Sequence, residues 1–210
     1  MHARLLYVMD PMCSWCWGFA PVVEALAAQA AERGVPMELV LGGLRRDRVA
    51  IDAAARVRYL GYWQAVNATT GQLFNFDAGL PEGMCYDTEA ACRAVVTVRA
   101  LDPQSAWPMA QRIQQAFYQE GADVTHAPTL VKLAEEVGIP RIEFAEAFDS
   151  EDQHSATAAD FSWVQDLGIA GFPTLLAKSG GRLALLTNGY QPLDALSPLL
   201  ARWLEHAIDG

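Results

Sequence analysis

Two cysteines separated by two residues, Cys13 and Cys16, lie where a short apolar run gives way to a helical pattern. Residues 4–9 have the length and composition of a buried strand, which Asp10-Pro11 ends. From about Ser14 to Arg33, apolar residues recur at spacings of three and four, which is typical of one face of a helix. The chain is therefore constrained to place a pair of thiols at the junction of its first strand and its first helix.

The remaining patterns predict an α/β protein. Met37 to Leu41 reads as a second strand, and a strand–helix–strand unit normally places two parallel strands side by side. Towards the end of the chain we expect a helix, the two strands of a hairpin and a closing helix, at Ala156 to Leu167, Thr174 to Lys178, Leu183 to Thr187 and Leu193 to Ile208. Pro198 lies inside the last pattern and predicts a kink, or a restart with Ser197 as its cap.

Between these two parts, the residues of roughly 50–155 have a wholly helical pattern. The expected helices are Ile51 to Ala68, Glu89 to Leu101, Ser105 to Glu120, Thr129 to Val137 and Arg141 to Ser150. Residues 69–86 contain several glycines and read as a loop, and Asp87 is a candidate helix cap. We therefore expect residues 1–50 and 156–210 to form one domain, and residues 51–155 to form a helical insertion in it.

The composition restricts the classes of partner. Hydrophobic residues make up 52% of the 210 positions and charged residues 19%, which is typical of a chain that folds around a packed core. The 25 acidic and 15 basic residues give a net charge of −10, which disfavours binding to nucleic acid or to an anionic membrane surface. The apolar run Leu5 to Met9 is too short for a signal peptide or a membrane span, so we expect a cytoplasmic protein.

The position of Cys13 favours redox chemistry. The first turn of a helix has unpaired N–H groups and the positive end of the helix dipole, and both stabilise a thiolate, the nucleophilic form of cysteine. Cys16 lies one helical turn further on, close enough to form a disulfide with Cys13. We expect Cys13 to attack the substrate and Cys16 to resolve the mixed disulfide.

Structural zinc is the alternative use of such a pair. A zinc site needs further ligands, but Cys85 and Cys92 are separated by six residues and the four histidines are scattered along the chain. If Cys85 and Cys92 lie on one helix, their Cα atoms are about 10 Å apart, beyond the reach of a disulfide. We therefore expect two buried, inert thiols rather than a second redox pair, and no metal.

Three further motifs carry a family resemblance. Gly171-Phe172-Pro173-Thr174 precedes a predicted strand, Pro21 lies eight residues after Cys13, and Gly42-Gly43-Leu44 follows the second strand. Together with Cys13-Ser14-Trp15-Cys16, these motifs resemble the DsbA family of thioredoxin-like oxidoreductases, and they look closest to its FrnE-like cytoplasmic branch. The resemblance implies a thioredoxin-like fold, with a central mixed sheet and a large all-helical insertion, and a thiol-disulfide oxidoreductase or isomerase.

The same resemblance implies the composition of the site. A loop with a cis peptide bond before Pro173 would face the cysteines, and the residues expected to bind substrate are Met12, Trp15, Phe172, Pro173 and Thr174. The implied partners are protein thiols and disulfides, or glutathione-like small thiols, and no cofactor is expected. Many DsbA-type oxidases carry Pro-His between the cysteines, where this chain has Ser14-Trp15. A histidine there helps to stabilise the thiolate, so the direction of the reaction stays open.

Several assignments depend on how the chain folds. Arg45, Arg46 and Arg48 either bind a carboxylate, such as that of glutathione, or form a solvated basic turn. Glu24 either accepts a proton from Cys16 or is exposed to solvent. Two alternative functions also stay open: a glutathione-dependent transferase or small-molecule isomerase of the same fold, and a non-enzymatic zinc-binding module.

Overall fold

The computed structural model describes residues 3–208, and its elements are numbered in chain order. The strands are β1 (Arg4–Met9), β2 (Met37–Leu41), β3 (Arg46–Ala50), β4 (Cys85–Asp87), β5 (Thr174–Ser179) and β6 (Arg182–Asn188). The helices are α1 (Ser14–Ala31), α2 (Ala53–Thr70), α3 (Glu89–Leu101), α4 (Ala106–Tyr118), α5 (Ala127–Glu136), α6 (Arg141–Phe148), α7 (Glu151–Asp166) and α8 (Leu193–Ile208). A short 3-10 turn, Pro103–Ser105, precedes α4.

The central sheet is mixed, which confirms the prediction, and its strand order is β2-β1-β5-β6. β1 pairs in parallel with β2, so that Met9 is opposite Leu41, and antiparallel with β5, so that Val8 is opposite Thr174. The end of β1 therefore lies beside the start of β5. This register brings the turn that carries Cys13 to the loop that precedes β5.

β1 is buried on both faces of the sheet. Side chains alternate between the two faces of a strand, and accordingly Leu5, Tyr7 and Met9 belong to the large hydrophobic core. Leu6 and Val8 belong to a smaller cluster that β1 shares with β5 and α7. The strand is thus held by packing from both sides, which gives the turn after it a fixed support.

The middle segment is mostly helical, and the exception is β4. This strand pairs antiparallel with β3 in a separate two-stranded sheet, in which Arg46 is opposite Asp87 and Ala50 is opposite Cys85. Three residues are too few to show the alternation that identifies a strand in a sequence. The expected boundary at residue 50 therefore falls at the end of a strand whose partner lies within residues 51–155.

Helix α7 begins earlier than expected, at Glu151 rather than at Ala156. Ser150 caps it, because its hydroxyl accepts a hydrogen bond from the backbone N–H of Gln153 (3.3 Å). The first turn contains acidic and polar residues that hide the helical pattern but suit a helix N-terminus.

Helix α8 continues through Pro198, so the expected restart at Ser197 does not occur. The side-chain amide of Gln29 in α1 donates a hydrogen bond to the carbonyl oxygen of Ser197 (3.2 Å), and the Ser197 hydroxyl donates one to Oε1 of Gln29 (2.9 Å). These bonds hold α8 against α1 at the proline. Within residues 3–208, no helix combines the length and the apolar character needed to cross a bilayer.

Candidate active site

Cys13 is the N-terminal cap of α1, with extended backbone angles (φ −88°, ψ 115°). Its carbonyl accepts the N–H of Trp17 (3.1 Å), which closes the first turn of the helix. The side chain is 5% exposed, and Sγ lies 3.6 Å from the carbonyl oxygen of Phe172. The thiol therefore lies at the positive end of the helix dipole, the position that favours a thiolate.

Cys16 lies one turn along α1 and is fully buried. Burial raises the pKa of its thiol well above the ordinary value, and the hydrogen bond and the charge of Cys13 raise it further. Tyr7 is close enough to the pair that its own pKa, raised chiefly by burial, is raised again by the charges of Cys16 and Cys13. The two thiols are thus unequal, with Cys13 near the surface and Cys16 in the core.

The loop before β5 faces these cysteines. The Phe172–Pro173 peptide bond is cis, and the hydroxyl of Thr174 donates a hydrogen bond to the carbonyl of Gly171 (2.9 Å). The ring of Phe172 packs directly on Gly42, where an added Cβ would lie 2.0 Å from the ring carbon Cζ. Because Gly42 has no side chain, the loop can lie against the end of β2.

The residues expected to bind substrate differ in exposure. Trp15 and Phe172 are partly exposed, whereas Met12, Pro173 and Thr174 are buried. The side chain of Met12 belongs to the hydrophobic core rather than to an exposed apolar surface. Of the expected substrate-binding residues, Trp15 and Phe172 are therefore the ones with exposed apolar surface beside the cysteines.

Trp17, the residue after Cys16, packs into the core. Its ring stacks on Tyr118, with the ring centroids 6.0 Å apart and the ring planes 13° apart. Its Nε1 donates a hydrogen bond to the carbonyl of Leu73 (3.0 Å), and its own carbonyl accepts one from the side chain of Gln72 (2.9 Å). Trp17 therefore fastens the start of α1 to the segment that follows α2.

Asp10 is a fully buried carboxylate at the start of the cysteine turn. Its Oδ1 accepts the N–H of Met12 (2.8 Å), and its Oδ2 accepts the N–H of Leu44 (2.7 Å) and the hydroxyl of Thr88 (2.6 Å). The thiol of Cys92 also donates to Oδ2 (3.3 Å). Burial raises the pKa of Asp10, and these hydrogen bonds oppose the rise. In the sequence, Asp10 is recognisable only as the residue that ends a strand, and the one signal for a further role is an acidic residue three positions before a cysteine.

The remaining cysteines are free, like Cys13 and Cys16. Burial and the charge of Asp10 raise the pKa of the Cys92 thiol, which favours the protonated form that donates to Asp10. Cys85 lies in β4 and is partly exposed, so the expectation of two buried thiols is wrong for Cys85, because it lies in a short edge strand rather than in a packed helix. Among the described residues, no three His, Cys, Asp or Glu side chains come together in a way that could hold a metal ion.

Strand β4 contributes Tyr86, a site residue that no sequence motif indicates. Its hydroxyl donates a hydrogen bond to the carbonyl of Met12 (2.6 Å). The guanidinium of Arg45 lies over the rings of Tyr59 and Tyr86, 5.0 Å and 5.6 Å from their centroids. Burial raises the pKa of Tyr86, and the positive charge of Arg45 lowers it. Strand β4 therefore supplies part of the wall beside the cysteines.

A cavity of about 350 Å³ opens beside Cys13. Its walls include Trp15, Tyr62 and Phe172. Among the described residues that line it, Arg45 is the one with a charged side chain. This cavity is large enough for a small molecule or for the side chains of a polypeptide.

The other charged candidates lie away from the cavity. Arg46 and Arg48 are exposed on β3, and Arg46 pairs with Asp87 (3.4 Å). Glu24 is exposed and accepts a hydrogen bond from the side chain of Gln111. Of the two alternatives for Glu24, the structure agrees with solvent exposure, because its carboxylate is in contact with solvent rather than buried beside Cys16.

Comparison with known proteins agrees with this architecture. Residues 4–201 match the family of DSBA-like thioredoxin domains. The structure of a candidate protein disulfide isomerase from Nitrosomonas europaea is 41% identical, with a TM-score of 0.90, over 98% of this chain and 99% of that one. The cytosolic disulfide reductase DsbM from Pseudomonas aeruginosa is 31% identical, with a TM-score of 0.77, over 95% of this chain and 98% of that one, and it has also been solved with GSH.

A more distant relative is the ClpXP adapter protein SpxH of Halalkalibacterium halodurans, 20% identical over 172 residues. The match covers 80% of this chain but 56% of that protein, so the chain spans little more than half the length of this curated relative. The family match and the two relatives above 30% identity extend over nearly the whole chain. The chain therefore belongs to the DSBA-like thioredoxin-domain family of thiol-disulfide oxidoreductases.

Proposed function

We propose that this protein is a cytoplasmic dithiol reductase in which Cys13 attacks a substrate disulfide and Cys16 resolves the intermediate. The observation that carries the proposal is the arrangement of the two thiols. Cys13 caps α1 with Sγ 3.6 Å from the carbonyl of Phe172, and Cys16 lies one turn behind it in the core.

The reaction takes two exchange steps. The thiolate of Cys13 attacks one sulfur of the substrate disulfide, the substrate S–S bond breaks, and one substrate sulfur leaves as a thiolate. The thiolate of Cys16 then attacks Cys13, forms the Cys13–Cys16 disulfide and releases the second substrate thiolate. Two electrons pass from the protein to the substrate, and the two thiol protons finally reside on the products. The backbone of Phe172 lies where it can pair with an extended substrate during the first step.

The electrostatics of the site support the direction of reduction. DsbA-type oxidases owe their oxidising power to a stabilised thiolate in the reduced form. Here Ser14 and Trp15 place no positive charge between the cysteines. Burial is the main cause of the raised pKa of Cys16, and the negative charge of the buried Asp10 adds a smaller rise. A less stabilised thiolate favours the disulfide form of the protein, and so favours electron donation. The relative DsbM, a cytosolic disulfide reductase, supports both the direction and the compartment.

The alternative of a glutathione-dependent transferase or isomerase needs one activating residue rather than two thiols. The position of Cys16 within one turn of Cys13 supports the dithiol reaction over that alternative. Zinc binding is tested directly by metal analysis of the purified protein, in which one equivalent of tightly bound zinc would contradict the redox proposal.

The decisive experiment is equilibration in glutathione redox buffers of graded potential, followed by acid quenching, alkylation and mass analysis. We expect a two-electron transition to an intramolecular Cys13–Cys16 disulfide, at a potential nearer to about −270 mV, the value of thioredoxin, than to about −120 mV, that of DsbA. The Cys16→Ser variant serves as the control and should form only a glutathione adduct at Cys13. Absence of the intramolecular disulfide at every ratio would contradict the proposed function.

A further inference from the structure

The cavity beside Cys13 has the composition of a subsite for an anion with an apolar body. Its volume, about 350 Å³, lies in the range of roughly 300–1,000 Å³ that is typical of small-molecule pockets. Aromatic side chains form much of its wall, and Arg45 supplies a positive charge. The protein as a whole carries a net charge of −10, so the positive charge of Arg45 beside Cys13 is opposite in sign to the net charge of the molecule.

Arg45 is held in place by its surroundings. Its guanidinium lies over Tyr59 and Tyr86, and its carbonyl accepts the N–H of Thr88 (3.0 Å). A side chain fixed in this way loses less conformational freedom when it binds a ligand.

The guanidinium also keeps donors for a ligand. Its acidic neighbour is Asp47, whose Oδ2 lies 3.9 Å from Nη1 of Arg45. The two side chains are 36% and 42% exposed, so water and salt screen the contact. This weak pairing leaves Arg45 able to exchange Asp47 for a better-placed carboxylate.

We propose that Arg45 binds a carboxylate of a small disulfide whose sulfur reacts with Cys13, so that the site selects anionic low-molecular-weight disulfides. A guanidinium can hold a carboxylate through two parallel hydrogen bonds, which fixes orientation as well as charge. Trp15 and Tyr62 flank the apolar part of such a molecule. This inference rests on the proposed function: the dithiol gives two electrons to the disulfide, which is released as two thiols with its carboxylates unchanged.

The test is single-turnover oxidation of the reduced protein by two disulfides, with free thiols counted by alkylation and mass analysis. Glutathione disulfide is the anionic probe, and bis(2-hydroxyethyl) disulfide is the neutral one. Loss of a charge-assisted contact in Arg45→Gln should lower the second-order rate constant for glutathione disulfide about tenfold or more. The rate constant for the neutral disulfide should change less than about twofold, because no ion pair is lost with it. Arg45→Lys should be intermediate, since it keeps the charge but not the two-point geometry.

Arg48→Gln is the matched control, because Arg48 is an exposed arginine of β3 that does not line the cavity. It should leave both rate constants unchanged, and thermal unfolding should show that all three variants fold. If Arg45→Gln slows the reaction with both disulfides equally, Arg45 affects the reactivity of Cys13 rather than binding of the carboxylate, and the proposed subsite is wrong. An unchanged rate with glutathione disulfide, or a larger loss with the polypeptide disulfide of insulin, would also overturn it. If neither disulfide oxidises the wild-type dithiol, the proposed function itself fails, and that result is distinguishable because it needs no variant.

Discussion

The hydroxyl of Thr88 lies 2.6 Å from Oδ2 of Asp10, so a residue just before α3 satisfies a carboxylate at the start of the cysteine turn. The same oxygen accepts the N–H of Leu44 and the thiol of Cys92. One buried side chain therefore joins the end of β1, the segment after β2 and the start of α3. Its charge and its hydrogen bonds lead to the first two predictions.

Asp10→Asn should make the cysteine pair more oxidising. Burial is the main cause of the raised pKa of Cys16, and the charge of Asp10 adds to it. Removing this charge should lower the pKa of the Cys16 thiol, measured by thiolate absorbance. It should also move the midpoint potential of the Cys13–Cys16 pair, measured in glutathione buffers, to a more positive value. Glu24→Gln, which removes an exposed carboxylate from α1, should move neither quantity. An unchanged potential in Asp10→Asn would contradict the assigned electrostatic role.

The stability of the protein should depend on pH through Asp10. Its pKa in the folded protein is raised from the ordinary value of 3.8, so the folded state binds the proton more tightly than the unfolded state. The contribution of Asp10 to the free energy of unfolding should therefore be most favourable below about pH 3.8 and should decrease as the pH rises through the raised pKa. Urea unfolding at several pH values measures the free energy of unfolding of the wild type and of Asp10→Asn. The wild-type value minus the Asp10→Asn value should fall as the pH rises, and a rise would contradict the prediction.

Cys16→Ser should accumulate mixed disulfides, and Cys13→Ser should not. Without Cys16, an adduct on Cys13 has no internal thiol to release it. In Cys13→Ser, the thiol of Cys16 is fully buried and has a raised pKa, so Cys16 should be alkylated slowly at neutral pH and faster as the pH rises. Mass spectrometry after a brief exposure to glutathione disulfide or to an alkylating agent measures both effects. Equal trapping by the two variants would reverse or abolish the assigned roles.

Gly42→Ala should destabilise the loop that faces Cys13. The new Cβ would lie 2.0 Å from Cζ of Phe172, so the ring or the end of β2 must move. Overpacking of this kind costs about 1–3 kcal/mol, measured by urea unfolding, and it should also slow the oxidation of Cys13. Gly61→Ala is the control, because nothing lies within 4 Å of its added Cβ in α2, and it should stabilise the protein by up to about 1 kcal/mol. Equal effects of the two substitutions would contradict the packing argument.

The sequence was sufficient to predict the features that depend on local patterns of residues. The apolar run of β1, the helical spacing of α1 and the turn signals around β5 and β6 predict the sheet, and the sheet register then brings Cys13 to Phe172. Helices such as α3 and α6 begin where expected, because glycine, proline and capping residues mark their ends.

The sequence was insufficient where an interaction joins distant residues. β3 consists mostly of exposed residues, including two arginines, and β4 has only three residues, so neither shows the alternating hydrophobic pattern of a strand. The two strands form because they pair with each other. Tyr86 could not be assigned to the site for this reason. The surroundings of Asp10 depend on contacts with Leu44, Thr88 and Cys92, between 34 and 82 positions away, which no local spacing reveals.

The β3–β4 ribbon has a consequence for how this protein can vary. Because Tyr86 bonds to the backbone of Met12 and lies under Arg45, part of the wall of the cavity beside Cys13 comes from residues 51–155 rather than from the cysteine motif. Exchanging residues 51–155 between homologues would replace that part of the wall as well, and would separate Arg45 from the ring of Tyr86. Substitutions on the two sides of the ribbon should therefore be coupled, and a chimaera joined near residue 50 would acquire the substrate preference of the donor of its insertion.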